Sequence, residues 1–181
     1  MTLALLIGTP LLLIGLAAII GSRLPKTHAA ASRIRLNASP EEIWSIITDF
    51  AAHPTWRPGL NAVESGPEVE GCPSWFEVCT SNVRVQFALT ENDPPRRLAT
   101  RLVGDTLPIK STWVYQLRED NGGTIVTITE HDLIYSPLFR FFTRFVISYH
   151  GTMDIFLIAL ARKCGDLAEP EHLSMRQDPA L

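Results

Sequence analysis

The sequence has little cysteine and no arrangement of cysteine and histidine typical of a metal centre. Its 181 residues include three cysteines, Cys72, Cys79 and Cys164, and none of them forms a CxxC pair. An odd number of scattered cysteines is typical of a reducing compartment and argues against a disulfide framework. No histidine stands at metal-ligand spacing from these cysteines. We therefore predict no metal site and no disulfide-stapled fold.

Motifs of nucleotide-binding and nucleophilic enzymes are absent as well. The chain contains no GxGxxG, Walker, HExxH or GxSxG sequence, so no cofactor is expected and nucleophilic catalysis is disfavoured. Its 16 basic and 19 acidic residues give a net charge of −3 and are spread along the chain. Because no basic stripe with interleaved aromatic residues is present, we predict no nucleic-acid partner.

The longest apolar run lies at the N-terminus. Residues 3–20 read LALLIGTPLLLIGLAAII, without a charge, and this length just crosses a hydrocarbon core of about 30 Å. Arg23, Lys26 and two later arginines follow the run and no basic residue precedes it, which places the rest of the chain in the cytoplasm. We predict a single-pass membrane protein with a transmembrane anchor over residues 1–21. A cleaved signal peptide and a helix packed on the domain or a partner are the alternatives.

A linker at residues 22–32 and one domain at residues 33–166 are predicted to follow. Near the start of the domain, Asn37-Ala-Ser-Pro-Glu-Glu42 has the pattern of a helix start, with Ser39 as the N-cap and Pro40 at the first helical position.

The middle of the domain is a series of strand-like runs, and its end is helical. Residues 82–91 alternate apolar and polar side chains, the pattern of a half-buried strand. A long helix is predicted from Pro137 to about Cys164, with Gly165 as its stop. Residues 167–181 are polar and predicted to be disordered. This order predicts an α+β fold in which a curved antiparallel sheet surrounds one long C-terminal helix.

Two stretches of the chain carry a family resemblance. The first is NASPEEIWSIITDFAAHPTW at residues 37–56, and the second combines STWVYQL with GGTIVTITEHDLIYSPLFRFFTRF at residues 111–145. Over about residues 33–165 the sequence resembles the START-like helix-grip superfamily, also called SRPBCC or the polyketide cyclase/dehydrase group, which includes the birch pollen allergen. The resemblance implies a hydrophobic cavity between the sheet and the C-terminal helix, used for lipids, sterols or polyketides, and in some members for cyclase or dehydratase chemistry.

Large apolar residues on the predicted inward faces are the candidate ligand contacts. They are Trp44, Trp75, Phe87, Trp113, Tyr115, Tyr149, Met153 and Phe156. Aromatic rings and methionine together make an adaptable apolar wall. With the resemblance, they predict a lipid or other hydrophobic small molecule as the partner. The alternative is that the same side chains only fill the core.

Glu130 is the one weak catalytic candidate. Strand alternation places it on the same face as Val126 and Ile128, pointing inward. A carboxyl group near apolar walls has its charged form disfavoured, which suits proton transfer near neutral pH. The alternatives are a structural glutamate that is hydrogen-bonded to Trp113, Tyr115 or an arginine, and a glutamate at the open end of the sheet.

The sequence therefore favours a membrane-anchored binding or transfer domain for a lipid-like or other hydrophobic small molecule. Two alternatives stay open: a cyclase or dehydratase that uses Glu130 with Tyr115 or a histidine, and an interaction module without a ligand. Whether the chain is an enzyme, and how many copies assemble, is not determined by these patterns.

Overall fold

The strands of the computed structural model, which describes residues 2–104 and 107–174, form one antiparallel sheet. Its strands run in the order β2-β3-β4-β5-β6-β7-β1-β8. They are β1 (Thr27–Leu36), β2 (Leu60–Val69), β3 (Cys72–Cys79), β4 (Arg84–Asp93), β5 (Arg97–Val103), β6 (Ile109–Asp120), β7 (Gly123–Ile134) and β8 (Glu171–Leu173). The predicted α+β class is confirmed, with helices packed on one face of the sheet.

The helices lie at the beginning and the end of the chain. They are α1 (Thr2–Arg23), α2 (Pro40–Thr48), a 3-10 helix (Phe50–Thr55), α3 (Pro137–Phe142), a π-helical turn (Thr143–Ile147) and α4 (Gly151–Lys163). The start of α2 is as predicted: Pro40 is its first residue, and the Ser39 hydroxyl accepts a hydrogen bond from the Glu42 amide at 3.2 Å. This bond satisfies one of the amides that a helix start leaves free.

The prediction of one continuous helix from Pro137 to Cys164 is wrong. The segment is divided into α3, the π-helical turn and α4, and the two parts meet at an angle of 49°. Ser148 between them has a φ of 69°, a left-handed conformation that no helix continues through. Valine, isoleucine, serine and glycine around this point are all weak helix formers. Gly165, with a φ of 74°, follows the end of α4 as predicted.

The core lies between α4, α2 and the inner face of the sheet. It is built mainly from alternate residues of β1, β6 and β7 and from one side of α4. Its most buried members include Ile34, Leu36, Ile43, Ile47, Leu98, Val126, Ile128, Met153, Leu157 and Leu160. Burying an aliphatic side chain of this size contributes about 1.5–3 kcal/mol, so this half of the interior carries most of the packing energy.

Both ends of the domain contain more strand than predicted. β1 begins at Thr27, inside the expected linker, and pairs along its whole length with β7. Residues Glu171–Leu173 of the expected disordered tail form β8 on the other edge of β1. Tertiary partners stabilise this short strand, because Glu171 bonds Arg33 at 2.8 Å and the His172 ring bonds Asp154 at 2.8 Å. Residues 175–181 of the predicted tail lie outside the described residues.

Helix α1 packs against α3. A Cβ atom added at Gly21 would collide with the carbonyl oxygen of Pro137, so the two backbones cross in close contact. Next to this crossing, the buried Arg140 side chain donates to the Leu24 carbonyl at 2.7 Å. Its Nε atom has no hydrogen-bond partner among the described residues.

The predicted transmembrane anchor over residues 1–21 is not supported. Among the described residues, no single helix is both long and apolar enough to cross a membrane, and Thr9–Arg23 counts as a shorter apolar helix. One bent pair, Pro137–Val146 with Gly151–Lys163, reaches the required length and composition. Much of α4 in that pair is buried in the core.

Replacing Gly21 with alanine is expected to separate α1 from α3, because the new methyl group and the Pro137 carbonyl cannot occupy the same space. The measurement is hydrogen exchange of the α3 amides in the full chain, which should become faster. Gly15→Ala is the matched control, since nothing lies within 4 Å of a Cβ atom at that position. Equal α3 protection in the two variants would contradict the close crossing.

Candidate functional site

A cavity of about 310 Å³ lies between the inner face of the sheet and the segment that runs from α3 to the start of α4. Strands β3 to β7 form its walls, and α3 and the π-helical turn cover one side. Its lining residues are Arg57, Glu77, Cys79, Val85, Phe87, Thr100, Leu102, Leu107, Ile109, Ser111, Trp113, Tyr115, Glu130, Asp132, Phe139, Thr143, Ser148, Tyr149 and Thr152. About half of these side chains are polar, so the cavity is more polar than the sequence suggested.

Four of the predicted ligand contacts line this cavity: Phe87, Trp113, Tyr115 and Tyr149. Phe87 is on β4, and Trp113 and Tyr115 are successive inward residues of β6. The Tyr149 ring stacks on the ring of His28 at 3.4 Å between centroids. These rings form an aromatic wall that suits a planar or apolar ligand.

The other four predicted contacts lie in the core, outside the lining. Trp44 packs on the core from α2, and the Trp75 ring stacks on Phe50 of the 3-10 helix at 3.9 Å. Met153 and Phe156 are buried on α4. The predicted continuous helix would have carried Tyr149, Met153 and Phe156 on one apolar side, but the chain breaks at Ser148, before α4 begins.

The weak candidate Glu130 faces the cavity together with a second carboxyl, that of Asp132. The two are alternate residues of β7, and each stands opposite an inward residue of β6: Trp113 opposite Glu130, and Ser111 opposite Asp132. The Ser111 hydroxyl donates to Glu130 at 3.2 Å. One oxygen of Asp132 is buried without a hydrogen-bond partner in the described structure.

Both carboxyl groups have a pKa above the ordinary value. Burial raises the pKa of Glu130, and hydrogen bonds from Trp113 and Ser111 offset part of this effect. Burial and the nearby Glu130 carboxylate raise the pKa of Asp132 from 3.8 to about 7. Two acidic groups this close do not both ionise readily, so the pair holds a proton near neutral pH.

A buried ion pair closes another part of the cavity wall. The Arg57 guanidinium binds both carboxylate oxygens of Glu77, at 2.6 and 3.1 Å. Arg57 also donates to Nδ1 of His53 at 3.0 Å, while Nε2 of His53 lies 3.1 Å from the Ile47 carbonyl. This arrangement requires the neutral imidazole with its proton on Nε2. Burial and the charge of Arg57 accordingly lower the pKa of His53 from 6.5 to about 4.

A wider groove of about 620 Å³ lies on the outer side of α4, against the 3-10 helix. Its apolar lining includes Trp56, Ile155 and Ile158, and its rim carries Arg162 and Lys163. The groove is open to solvent and contains no carboxyl group with a shifted pKa. The cavity between the sheet and the α3–α4 segment is more closed and contains such groups, so it is the better candidate for a ligand site.

Sequence reasoning missed several polar residues of the cavity wall. Asp132 was accessible to it, because residues two apart on a strand share a face and Glu130 was already placed inward. The sequence placed Arg57, with His53 and Trp56, at a possible pocket mouth, but its ion pair with Glu77 was not accessible, since it joins a loop to β3 across 20 positions of sequence. Among the described residues, no group of three histidine, cysteine, aspartate or glutamate side chains is placed to hold a metal ion.

Comparisons with known proteins identify related sequences and folds. The family model described as polyketide cyclase / dehydrase and lipid transport matches residues 27–165. No curated protein matches the chain.

Solved structures share the fold at low sequence identity. The protein XoxI from Bacillus cereus is 19% identical, with a TM-score of 0.61 over 77% of this chain and 96% of its own. A START superfamily protein from Mycobacterium smegmatis is 17% identical, with a TM-score of 0.59 over 76% and 97%. The Zhui aromatase/cyclase from Streptomyces sp. R1128 is 12% identical, with a TM-score of 0.63 over 77% and 94%. At such identities the likeness is one of fold.

Proposed function

The chain belongs to the polyketide cyclase / dehydrase and lipid transport family, and on that premise we propose that it binds a hydrophobic small molecule in the cavity between the sheet and the α3–α4 segment. The motif resemblance predicted from the sequence is thereby confirmed. The observation that carries the proposal is the cavity itself, which is walled by Phe87, Trp113, Tyr115 and Tyr149. A cavity of about 310 Å³ is at the lower end of the usual size for small-molecule sites.

The polar residues of the cavity wall restrict the expected class of ligand to amphiphiles. Ser111, Glu130 and Asp132 lie together on one wall, and the pair of carboxyl groups retains a proton near neutral pH. A buried polar group costs free energy unless it is hydrogen-bonded. A ligand with a hydroxyl, amide or carbonyl group at one end would satisfy this wall, and its apolar part would contact the aromatic rings.

Membrane attachment through α1, with the domain on the cytoplasmic side, is part of the same proposal. Leu11, Leu12 and Leu13 of α1 are between 59% and 74% exposed, which is unusual for leucines in water. Arg23 and Lys26 follow the helix directly, and basic residues beside an apolar segment are typical of the cytoplasmic side of a membrane.

Filling the cavity tests the binding proposal. Val85 lines the cavity, whereas Val83, two residues earlier, is 41% exposed outside it. Val85→Phe is expected to weaken binding of a fluorescent fatty acid by about tenfold, or about 1.4 kcal/mol, because the larger ring occupies ligand space. Val83→Phe should bind like the unmodified chain.

Titration of the full chain in detergent, together with mass spectrometry of co-purifying small molecules, provides the measurement. Absence of saturable binding and of any co-purifying ligand in the unmodified chain would remove the proposal. Equal affinity of the two variants would place the ligand elsewhere.

A second candidate function is acid–base catalysis in the same cavity. The favouring observation is the Glu130–Asp132 pair, because the pKa of Asp132 is about 7 and a catalytic acid or base works best near its own pKa. The Zhui protein of similar fold is described as an aromatase/cyclase. Cyclisation and dehydration of a polyketide both need proton transfer at carbon and oxygen, which two such carboxyl groups could supply to a bound chain.

A further inference from the structure

The segment Pro137–Val146, here called the mouth segment, is apolar on two opposite sides. Phe139 and Thr143 face inward and line the cavity. Phe142, Phe145 and Val146 face outward and are 47%, 57% and 65% exposed. A helix on the surface of a water-soluble domain normally presents polar residues to solvent. Large apolar side chains on this outer side require another apolar medium or partner to cover them.

Helix α1 extends the exposed apolar surface. It packs on α3, the first part of the mouth segment, through the close contact of Gly21 with Pro137. Its exposed side chains add Leu11, Leu12, Leu13, Ile14, Leu16 and Ile19, each at least half exposed. The mouth segment and α1 are therefore neighbours. A partner that covers the exposed side chains of one of them also lies next to the other.

Basic residues surround this surface. The three chain segments that meet here, residues 21–27, 107–111 and 133–152, contain five lysines or arginines and no aspartate or glutamate. Backbone bonds join them, from the Ile134 amide to the Lys26 carbonyl at 2.8 Å and from the Tyr135 amide to the Pro108 carbonyl at 3.0 Å. Arg23, Lys26, Lys110 and Arg144 are exposed.

An apolar surface with a basic rim matches an anionic phospholipid bilayer. A second copy of the chain is a poorer occupant, because a symmetric pair would bring two basic rims together. An acidic partner protein would complement the basic rim. It would not explain why large apolar side chains are exposed on both the mouth segment and α1.

We propose that the mouth segment lies in the interfacial layer of an anionic phospholipid bilayer, so that the cavity opens towards the membrane and exchanges its ligand there. The bilayer contact is inferred from the exposed surface alone, whereas the exchange of ligand rests on the proposed binding function. Arg144, whose guanidinium lies over the rings of Phe145 and Tyr149 at 5.7 and 5.9 Å, would then sit at the level of the phosphates.

Photocrosslinking tests the bilayer contact without reference to any cavity ligand. The photoreactive residue p-benzoylphenylalanine is placed at position 145 or, as the control, at position 167. Leu167 is also exposed, but it follows Asp166, which bonds Asn37 at the end of β1 opposite the mouth segment. The full chain is reconstituted with vesicles of phosphatidylcholine and phosphatidylglycerol. Phospholipid adducts are expected at position 145 and not at position 167. Adducts between two copies, equal lipid adducts at both positions, or none at either would overturn the proposal.

Uptake of a fluorescent fatty acid from the same vesicles tests the exchange. Phe145→Ser combined with Val146→Ser is expected to slow uptake by on the order of tenfold, because two apolar anchors are lost. The affinity for the probe in detergent solution should not change. Ile155→Ser, at a residue 54% exposed on α4, is the control and should leave uptake unaltered.

Binding of the probe in detergent and its uptake from vesicles distinguish a failure of the binding function from a failure of the exchange. If the unmodified chain does not bind the probe in detergent, the proposed binding function fails, whatever the crosslinks show. If it binds the probe but the double variant takes it up from vesicles at the original rate, the exchange through the mouth segment fails and binding stands.

Discussion

Replacing Glu77 with alanine is expected to lower the free energy of unfolding by about 3–5 kcal/mol, because it leaves a largely buried guanidinium without its carboxylate. Glu77 is 9% exposed and holds Arg57 through two bonds, the shorter of 2.6 Å. Once the carboxylate is gone, Arg57 retains Nδ1 of His53 as its side-chain hydrogen-bond partner among the described residues, and its guanidinium lies 5.2 Å from the centre of the Phe156 ring. The charge would then depend on partial contact with water through the cavity and the outer groove, both of which Arg57 lines.

Glu64→Ala is the matched control for this prediction. Glu64 forms an ion pair of similar length with Arg84, at 2.8 Å, but both side chains are about half exposed. Removing an exposed pair costs at most about 1 kcal/mol. Urea unfolding of both variants measures the difference. Comparable losses would mean that burial does not determine what the Arg57–Glu77 pair contributes.

Replacing Asp132 with asparagine is expected to stabilise the protein by about 2–4 kcal/mol at pH 8 and to leave its stability at pH 4 nearly unchanged. The pKa of Asp132 rises from 3.8 to about 7 on folding, so the folded state resists ionisation that the unfolded state accepts. The resulting penalty is absent below about pH 3.8 and grows as pH rises to about 7. Asparagine cannot ionise and avoids it.

His53 acts in the opposite direction over part of the same range. Its pKa falls from 6.5 to about 4 on folding, so its contribution to stability is complete above pH 6.5 and is lost as pH falls towards 4. The pH profile of the unmodified chain therefore combines both groups. Comparison of the Asp132→Asn variant with the unmodified chain at each pH isolates the carboxyl.

Thermal or urea unfolding between pH 4 and pH 8 provides that comparison. Asp93→Asn is the control, because Asp93 is half exposed and pairs with the exposed Arg96, and its effect should stay within about 1 kcal/mol across the range. A difference between Asp132→Asn and the unmodified chain that does not grow with pH would show that Asp132 is already ionised in the folded protein.

Local features of this fold were predictable because short-range physics determines them. Ser39 and Pro40 start α2 within one turn. The Ser39 hydroxyl accepts a hydrogen bond from a free amide, and Pro40 has no amide hydrogen to satisfy. Alternation of side chains along β4, β6 and β7 placed Phe87, Trp113, Tyr115 and Glu130 on the inner face of the sheet. The same alternation also predicts that Asp132 faces inward, because it lies two residues after Glu130 on β7.

Features that depend on how elements meet were not predictable in this way. Periodicity alone continued the last helix through Ser148, whereas the structure bends the chain there by 49° and covers the cavity with the shorter piece. β8 has three residues and no strand pattern of its own, and forms because β1 offers a free edge and Arg33 and Asp154 offer partners. The absence of charge in residues 3–20 predicted an apolar helix, but its packing on α3 emerged only from the structure.

The sequence by itself therefore determined the α+β class, the inward faces of the strands and the family resemblance, since each follows from residues close together in the chain. Only the tertiary structure decided which inward residues surround space and which fill the core. That distinction depends on distances between elements, as for Trp113 on the cavity wall and Phe156 6.2 Å behind it. The tertiary structure also decided the charge state of the wall, because burial between elements is the largest cause of the shifted pKa values of Asp132 and His53.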